Sequence, residues 1–123
     1  MTDTWEITLP WKRPPLNLND RFHWAKKAAL TKLVRAQAAA LVRAKGVPPC
    51  AHINVILHWQ PDTIRLRDSD NPFATLKPCI DGIRDAGVVV ADTHDRVHSG
   101  VHIHDVVRGT SARVWLEISR VTA

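Results

Sequence analysis

Two aspartates one residue apart, Asp68 and Asp70, are the first residues whose type and spacing point to chemistry. On an extended segment, positions i and i+2 face the same side with Cα atoms ~7 Å apart. Carboxylates so placed repel each other unless a cation lies between them. Hard oxygen donors of this kind suit Mg²⁺ or Mn²⁺. A third acid, Asp92, follows the apolar run 88–90. If that run is a short buried strand beside the first segment, Asp92 emerges at the same sheet edge. Lys77 opens the intervening helix and is placed to face the same point. Three aspartates and a lysine around a metal form a constellation for phosphodiester hydrolysis, with the lysine neutralising charge that develops on phosphate oxygens. The D-x-D pair alone is a weak signal, because loop aspartates commonly cap helices or form Asx turns.

The charge pattern supplies a second signal. The 123 residues carry 17 basic and 12 acidic side chains, a net of +5. Eight of the acids lie between Asp62 and Asp105, and none lies between Arg21 and Pro61. That acid-free stretch holds Arg21, Lys26, Lys27, Lys32, Arg35, Arg43 and Lys45. A basic block without compensating acids attracts a polyanion, and nucleic acid is the usual one. Lys26, Lys27, Lys32 and Arg35, with Arg65 and Arg67 beside the D-x-D pair, are the expected phosphate contacts. A membrane surface fits less well, because the basic segment lacks a clean bulky apolar face. Asp81 and Asp85, one turn apart around Arg84, read as a structural or surface pair.

The composition, 45% hydrophobic and 24% charged, suits one soluble globular domain over residues 1–123. No apolar run approaches the ~18 residues of a membrane span. The first residues lack the pattern of a secretory signal. Cys50 and Cys79 are too few for a disulfide framework and lack metal spacing. A reduced, cytoplasmic protein is the expectation. A core of this size makes a homodimer sharing core surface reasonable.

The elements that must position these residues read as follows. Residues 5–9 alternate as a strand closed by Pro10. A Pro-rich loop leads to Asp20, the expected N-cap of a long helix that runs to about Lys45 and stops at Gly46. Leu30, Leu33, Val34, Gln37 and Leu41 form one stripe of that helix. Ala25, Ala28, Ala29, Ala36, Ala39 and Ala40 form a second, small-residue face that permits close approach. Residues 51–59 read as a strand with Ile53, Val55, Leu57 and Trp59 turned to the core. A short helix over 76–86, N-capped by Thr75, places Pro78 in its first turn. Residues 97–107 and 112–121 read as two strands joined by the turn at 108–111. The expected class is α+β, a mixed sheet with one long and one short helix packed on it.

The seven histidines and five tryptophans are secondary candidates. His98, His102 and His104 share strand parity, which invites a zinc site. The plainer reading, the polar face of a strand, is preferred because equal parity does not bring all three together. His94 lies two residues from Asp92 and is kept as a group near the metal or a phosphate. His23 faces either DNA or the protein interior. Trp24 is expected to pack, and Trp11 is a weaker candidate for contact with an unstacked base.

The run RDSDNPFATLKPCIDGIRDAGVVVADTHDRV, with the opening WEITLPWKRPPLNLND, resembles the RusA family of Holliday junction resolvases, many of them encoded by phages and prophages. The likeness spans most of the chain and is weakest in the long helix and the last two strands. It implies a RusA-like homodimer that uses Mg²⁺ or Mn²⁺ to cut four-way DNA junctions by paired nicks, in recombination and repair. It implies that Asp68, Asp70 and Asp92 are metal-binding and catalytic, and that Lys77 is the family's essential lysine. The chain departs from the pattern in two places. The gap from Asp70 to Lys77 is longer than in the shortest family form, and Ala91 stands where the family usually has the first of two adjacent acids. Asp95 is a candidate to compensate. Two rivals follow: a non-catalytic branched-DNA binder whose site has decayed at Ala91, and a nuclease that prefers flaps, forks or RNA.

Overall fold

The computed structural model describes residues 3–17, 23–63, 72–91 and 93–121. Six elements follow in order: β1 (Thr4–Thr8), α1 (Trp24–Lys45), β2 (Ile53–Gln60), α2 (Phe73–Asp85), β3 (Val97–Ile103) and β4 (Arg113–Arg120). The strands form one mixed sheet in the order β1-β4-β2-β3. β4 runs antiparallel to both β1 and β2, whereas β2 and β3 are parallel. A parallel pair needs a crossover, and α2 supplies it. The expected α+β class, with a mixed sheet and two helices, is what the structure shows. No helix among the described residues is long and apolar enough to cross a membrane.

Alternation decides which face of the sheet is covered. Ile53, Val55 and Leu57 of β2, Val114, Leu116 and Ile118 of β4, and Ile7 of β1 are buried in one cluster. Val34, Ala38 and Val42 of α1 pack on it with Leu76, Cys79, Ile80 and Ile83 of α2. Each large side chain so buried contributes ~1.5–3 kcal/mol. The opposite face carries Thr4, Glu6, Asn54, His98 and Arg113, all exposed. The sheet is therefore covered on one side and open on the other.

Each helix end has a physical cause. α1 begins at Trp24, capped by His23, whose Nδ1 accepts from the Ala25 N–H. The expected cap, Asp20, lies outside the described residues. Gly46 ends α1 in the left-handed region, φ +76°, as its glycine implied. α2 starts at Phe73, three residues before the expected Leu76. Thr75 is no cap. Its hydroxyl donates to the Leu16 carbonyl (2.6 Å) and accepts from the Leu16 N–H (2.9 Å), pinning the loop before α1 to the first turn of α2. Pro78 consequently lies inside the helix, where its ring offers no N–H to the carbonyl of Ala74. Burial of Leu76, Cys79 and Ile83 on either side holds the helix across that gap.

Two strand expectations need correction. The 88–90 run is irregular and forms no strand. It is held by the Val88 N–H on Ile83 O and by the Cys50 N–H on Val88 O, with Val88 and Val89 buried and Val90 exposed. The last two strands are not a hairpin, because β2 lies between β3 and β4. The turn at Gly109, φ +86°, is real, but the 104–112 connection that contains it carries the chain past the end of β2.

The helix pair is set by Gly82. A Cβ placed there would lie 2.6 Å from the Arg35 carbonyl oxygen and 2.9 Å from both Ala38 Cβ and Ala39 N. The small-residue face of α1 thus does serve close approach, but toward α2. Of the alanines named from sequence only Ala39 is buried there, joined by Ala38; Ala25, Ala28, Ala29, Ala36 and Ala40 are exposed.

Candidate functional site

The described part of the candidate site is the seam between α1 and α2. Trp24, Lys27, Ala28, Thr31, Lys32 and Arg35 follow one another at helical spacing along α1. With Asp81 of α2 they line an open groove of about 490 Å³. Trp24 stands at its rim, 77% exposed, although its indole was expected to pack. Lys26 also lies on the exposed surface of this first turn.

Lys77 is the hydrogen-bond partner of Asp81, which lines the groove. Its Nζ donates to Asp81 Oδ1 at 3.1 Å, an i to i+4 pair, and its side chain is 64% exposed. Asp81 therefore holds the lysine head over the α1 side of α2. Asp85, one turn on, accepts two bonds from Arg35, Nε at 2.6 Å and Nη2 at 2.8 Å. Arg43 donates to the Asp85 carbonyl at 2.8 Å. The hydrogen bond from Arg35, and then its charge, hold the Asp85 carboxyl below the usual carboxylate range. The structural role expected for the Asp81 and Asp85 pair matches this geometry. Arg35, expected on DNA, is instead largely neutralised by Asp85.

The Arg35–Asp85 pair predicts a pH dependence. A depressed carboxylate pKa adds stability that is present above the ordinary value of 3.8 and is lost as pH falls through the folded value. Asp85→Asn is expected to lower stability by up to about 1 kcal/mol at pH 7, since the pair is solvent-exposed. The difference from the unaltered protein should vanish as the pH is taken below 3.8, as urea midpoints across pH will show.

Asp68, Asp70, Arg65, Arg67 and Asp92 all lie outside the described residues. Their neighbours are described. Pro72, two positions after Asp70, caps α2. Ala91 and Thr93 flank Asp92 in the link from α2 to β3. That link meets the amino-terminal end of β2, where the Ile53 N–H bonds Arg96 O and His52 Nδ1 lies 2.7 Å from Asp95 O. Between the two flanks runs α2, ~20 Å long. With 88–90 irregular, the strand expected to carry Asp92 is absent among the described residues.

Asp95 is engaged locally. The Thr93 hydroxyl donates to its carboxylate, and this bond, followed by one to the Asp95 N–H, holds the carboxyl below its usual range. It caps the turn in which Arg96 and Val97 donate to Thr93 O. His94, beside it, is exposed. Trp11 does not face solvent as a stacking platform. Its indole N–H donates to Gln37 Oε1 at 3.1 Å, which also explains the polar break in the α1 stripe. Leu33 of that stripe is exposed, while Val34, Ala38, Ala39 and Val42 are the buried set.

The histidines bring a group that sequence reasoning set aside. His58 pairs with His102 across β2 and β3, and His104 follows β3. Imidazole nitrogens of the three lie within 4.8 Å of one another on the open face. Strand parity along 98–104 alone did not reveal this, because the decisive partner, His58, comes from the neighbouring strand. His98, the third residue of the parity set, is not among them.

No family model matches the chain. It is 34% identical over 85 residues to an uncharacterized protein of Xylella fastidiosa (strain Temecula1 / ATCC 700964), covering 65% of this chain and 56% of that relative. The match thus spans little more than half the relative's length.

Proposed function

We propose that the chain is a metal-dependent, structure-specific DNA endonuclease of the RusA type, acting on four-way junctions as a homodimer. The observation that carries the reading is the groove of Trp24, Lys27 and Lys32, whose α2 wall is Asp81, the hydrogen-bond partner of Lys77. A groove with cations along one wall and an indole at its rim suits a phosphate backbone and a base face. The resemblance over the D-x-D segment supplies the rest: Asp68, Asp70 and Asp92 would hold Mg²⁺ or Mn²⁺ next to Lys77. When bound, the cation would lower the pKa of the attacking water and neutralise phosphate charge. Lys27 and Lys32 hold the strand by its phosphates. Lys77, oriented by Asp81, offers its ammonium to a non-bridging phosphate oxygen as charge builds there. Phosphate contacts carry no base information, which suits recognition of branch shape. A two-fold dimer would place two such grooves on two symmetric strands.

A salt titration of junction binding tests the interface. Fluorescence anisotropy of a labelled four-way junction is expected to give a steep fall of affinity with salt. Lys27→Ala with Lys32→Ala should reduce the slope of log K against log salt by roughly 1 per contact removed. Equal slopes in the double variant and the parent would place the DNA elsewhere. Arg35→Ala should change the slope least, because Asp85 already neutralises Arg35.

A further inference from the structure

We propose that His58, His102 and His104 form a binding site for one imidazole-seeking transition-metal ion of the Zn²⁺ class, on the sheet face opposite the helices. The three offer nitrogens within 4.8 Å of one another. His58 Nδ1 and His104 Nε2 face each other at 2.8 Å. Two imidazole nitrogens so placed share a single proton between two lone pairs, and a metal ion can take that proton's place.

The proton inventory favours this exchange. His58 Nε2 lies 2.7 Å from Glu117 Oε1. A carboxylate only accepts, so the Nε2–H of His58 donates to it. In the tautomer with its proton on Nε2, the Nδ1 lone pair of His58 points at His104. A carboxylate behind a histidine fixes the ring and its tautomer, the arrangement commonly found behind metal-ligating histidines.

The surroundings are built as well. Trp115 stacks on His58, with centroids 4.9 Å apart and planes 4° apart, and lies 5.0 Å from His104. His58 is 9% exposed, so one ligand is held rigidly in the sheet. His102 is exposed and stacks on His104 at 4.1 Å. A tetrahedral ion with Zn–N near 2.05 Å requires nitrogens ~3.3 Å apart. His102, the exposed ring of the three, is the one that would turn to reach that spacing. The nearest fixed cation, Arg113, sits over Trp115 and is paired with Glu6 at 2.9 Å. Three imidazoles leave a fourth position open to water. These nitrogen donors select a different ion class from the oxygen donors of the D-x-D pair, so the site stands independently of the proposed nuclease centre.

The test is isothermal titration of the tag-free, full-length protein with ZnCl₂ in millimolar MgCl₂. One Zn²⁺ per chain is expected, with a Kd of 10 μM or tighter and no displacement by Mg²⁺. His102→Ala and His104→Ala, at positions where the sheet does not depend on the side chain, should each weaken binding at least 10-fold with the far-ultraviolet dichroism unchanged. His98→Ala, on the same strand but outside the group, should bind as the parent does. Absence of saturable binding below 1 mM would overturn the proposal. So would binding that survives both His102→Ala and His104→Ala unchanged, which would place the ion elsewhere.

Discussion

Replacing Asp70 by Asn is expected to lower metal-dependent nicking of a four-way junction by roughly 10³-fold or more, while junction binding is kept. The change is nearly isosteric and removes one anionic oxygen donor from the proposed site. Loss of a ligand to the catalytic cation costs several kcal/mol of transition-state stabilisation, and ~4 kcal/mol corresponds to 10³ in rate. Binding should hold or tighten, because the variant presents less negative charge to the phosphates. Single-turnover cleavage and anisotropy on the same preparation separate the two effects. A non-catalytic junction binder would show no cleavage to lose, and Asp70→Asn would then change only affinity.

The second large effect is on stability. Gly82→Ala is expected to destabilise the fold by ~2–4 kcal/mol, against a total of ~5–15 kcal/mol for a domain. Alanine is the better helix former by ~1 kcal/mol, so helix propensity alone predicts the opposite sign. Contact decides: the added carbon would lie 2.6 Å from the Arg35 carbonyl oxygen, and backbone cannot swing aside as a flexible side chain can. Helices α1 and α2 must part, which opens the core at Val34, Ala38 and Ile83. Gly100→Ala is the matched control. Nothing lies within 4 Å of a Cβ there and the residue is in a strand, so the change should be neutral or slightly stabilising. Thermal melts of both variants check the contrast, with a drop of ~10 °C expected for Gly82→Ala.

What could be read from the sequence follows the range of the interactions involved. The long helix was legible because Gly46 stops it and local periodicity runs through it. The core face of β2 was legible because Ile53, Val55 and Leu57 alternate. The start of α2 was not, because Thr75 resembles a cap while its hydroxyl is spent on Leu16, 59 positions away. The β3–β4 hairpin failed for the same reason: a true turn at Gly109 says nothing about which strand β4 will pair with. The 88–90 run is apolar because Val88 and Val89 pack under the sheet–helix link, which composition does not distinguish from a strand.

The site divides along the same line. Lys27, Lys32 and Lys77 were named from charge and spacing; the structure puts Lys27 and Lys32 on one groove wall and ties Lys77 to Asp81 of the other. Trp24 was expected to pack because an indole usually does, yet at the first turn of α1 it is exposed and meets the His23 ring at 5.4 Å. Arg35 was named for its charge, but its pairing with Asp85 across two helices is invisible in a linear reading. His58, His102 and His104 were separated in sequence and joined only by the parallel register of β2 and β3.

The measurement that bears most directly on the proposed activity is cleavage of a labelled synthetic four-way junction by the unaltered protein, beside a linear duplex of the same sequence. Each is incubated with Mg²⁺, with Mn²⁺ and with EDTA. Paired nicks in opposed strands of the junction are predicted with either metal, with none in EDTA and none in the duplex. Tight junction binding with no nick under either metal would contradict the account and leave a branched-DNA binder in place of an endonuclease.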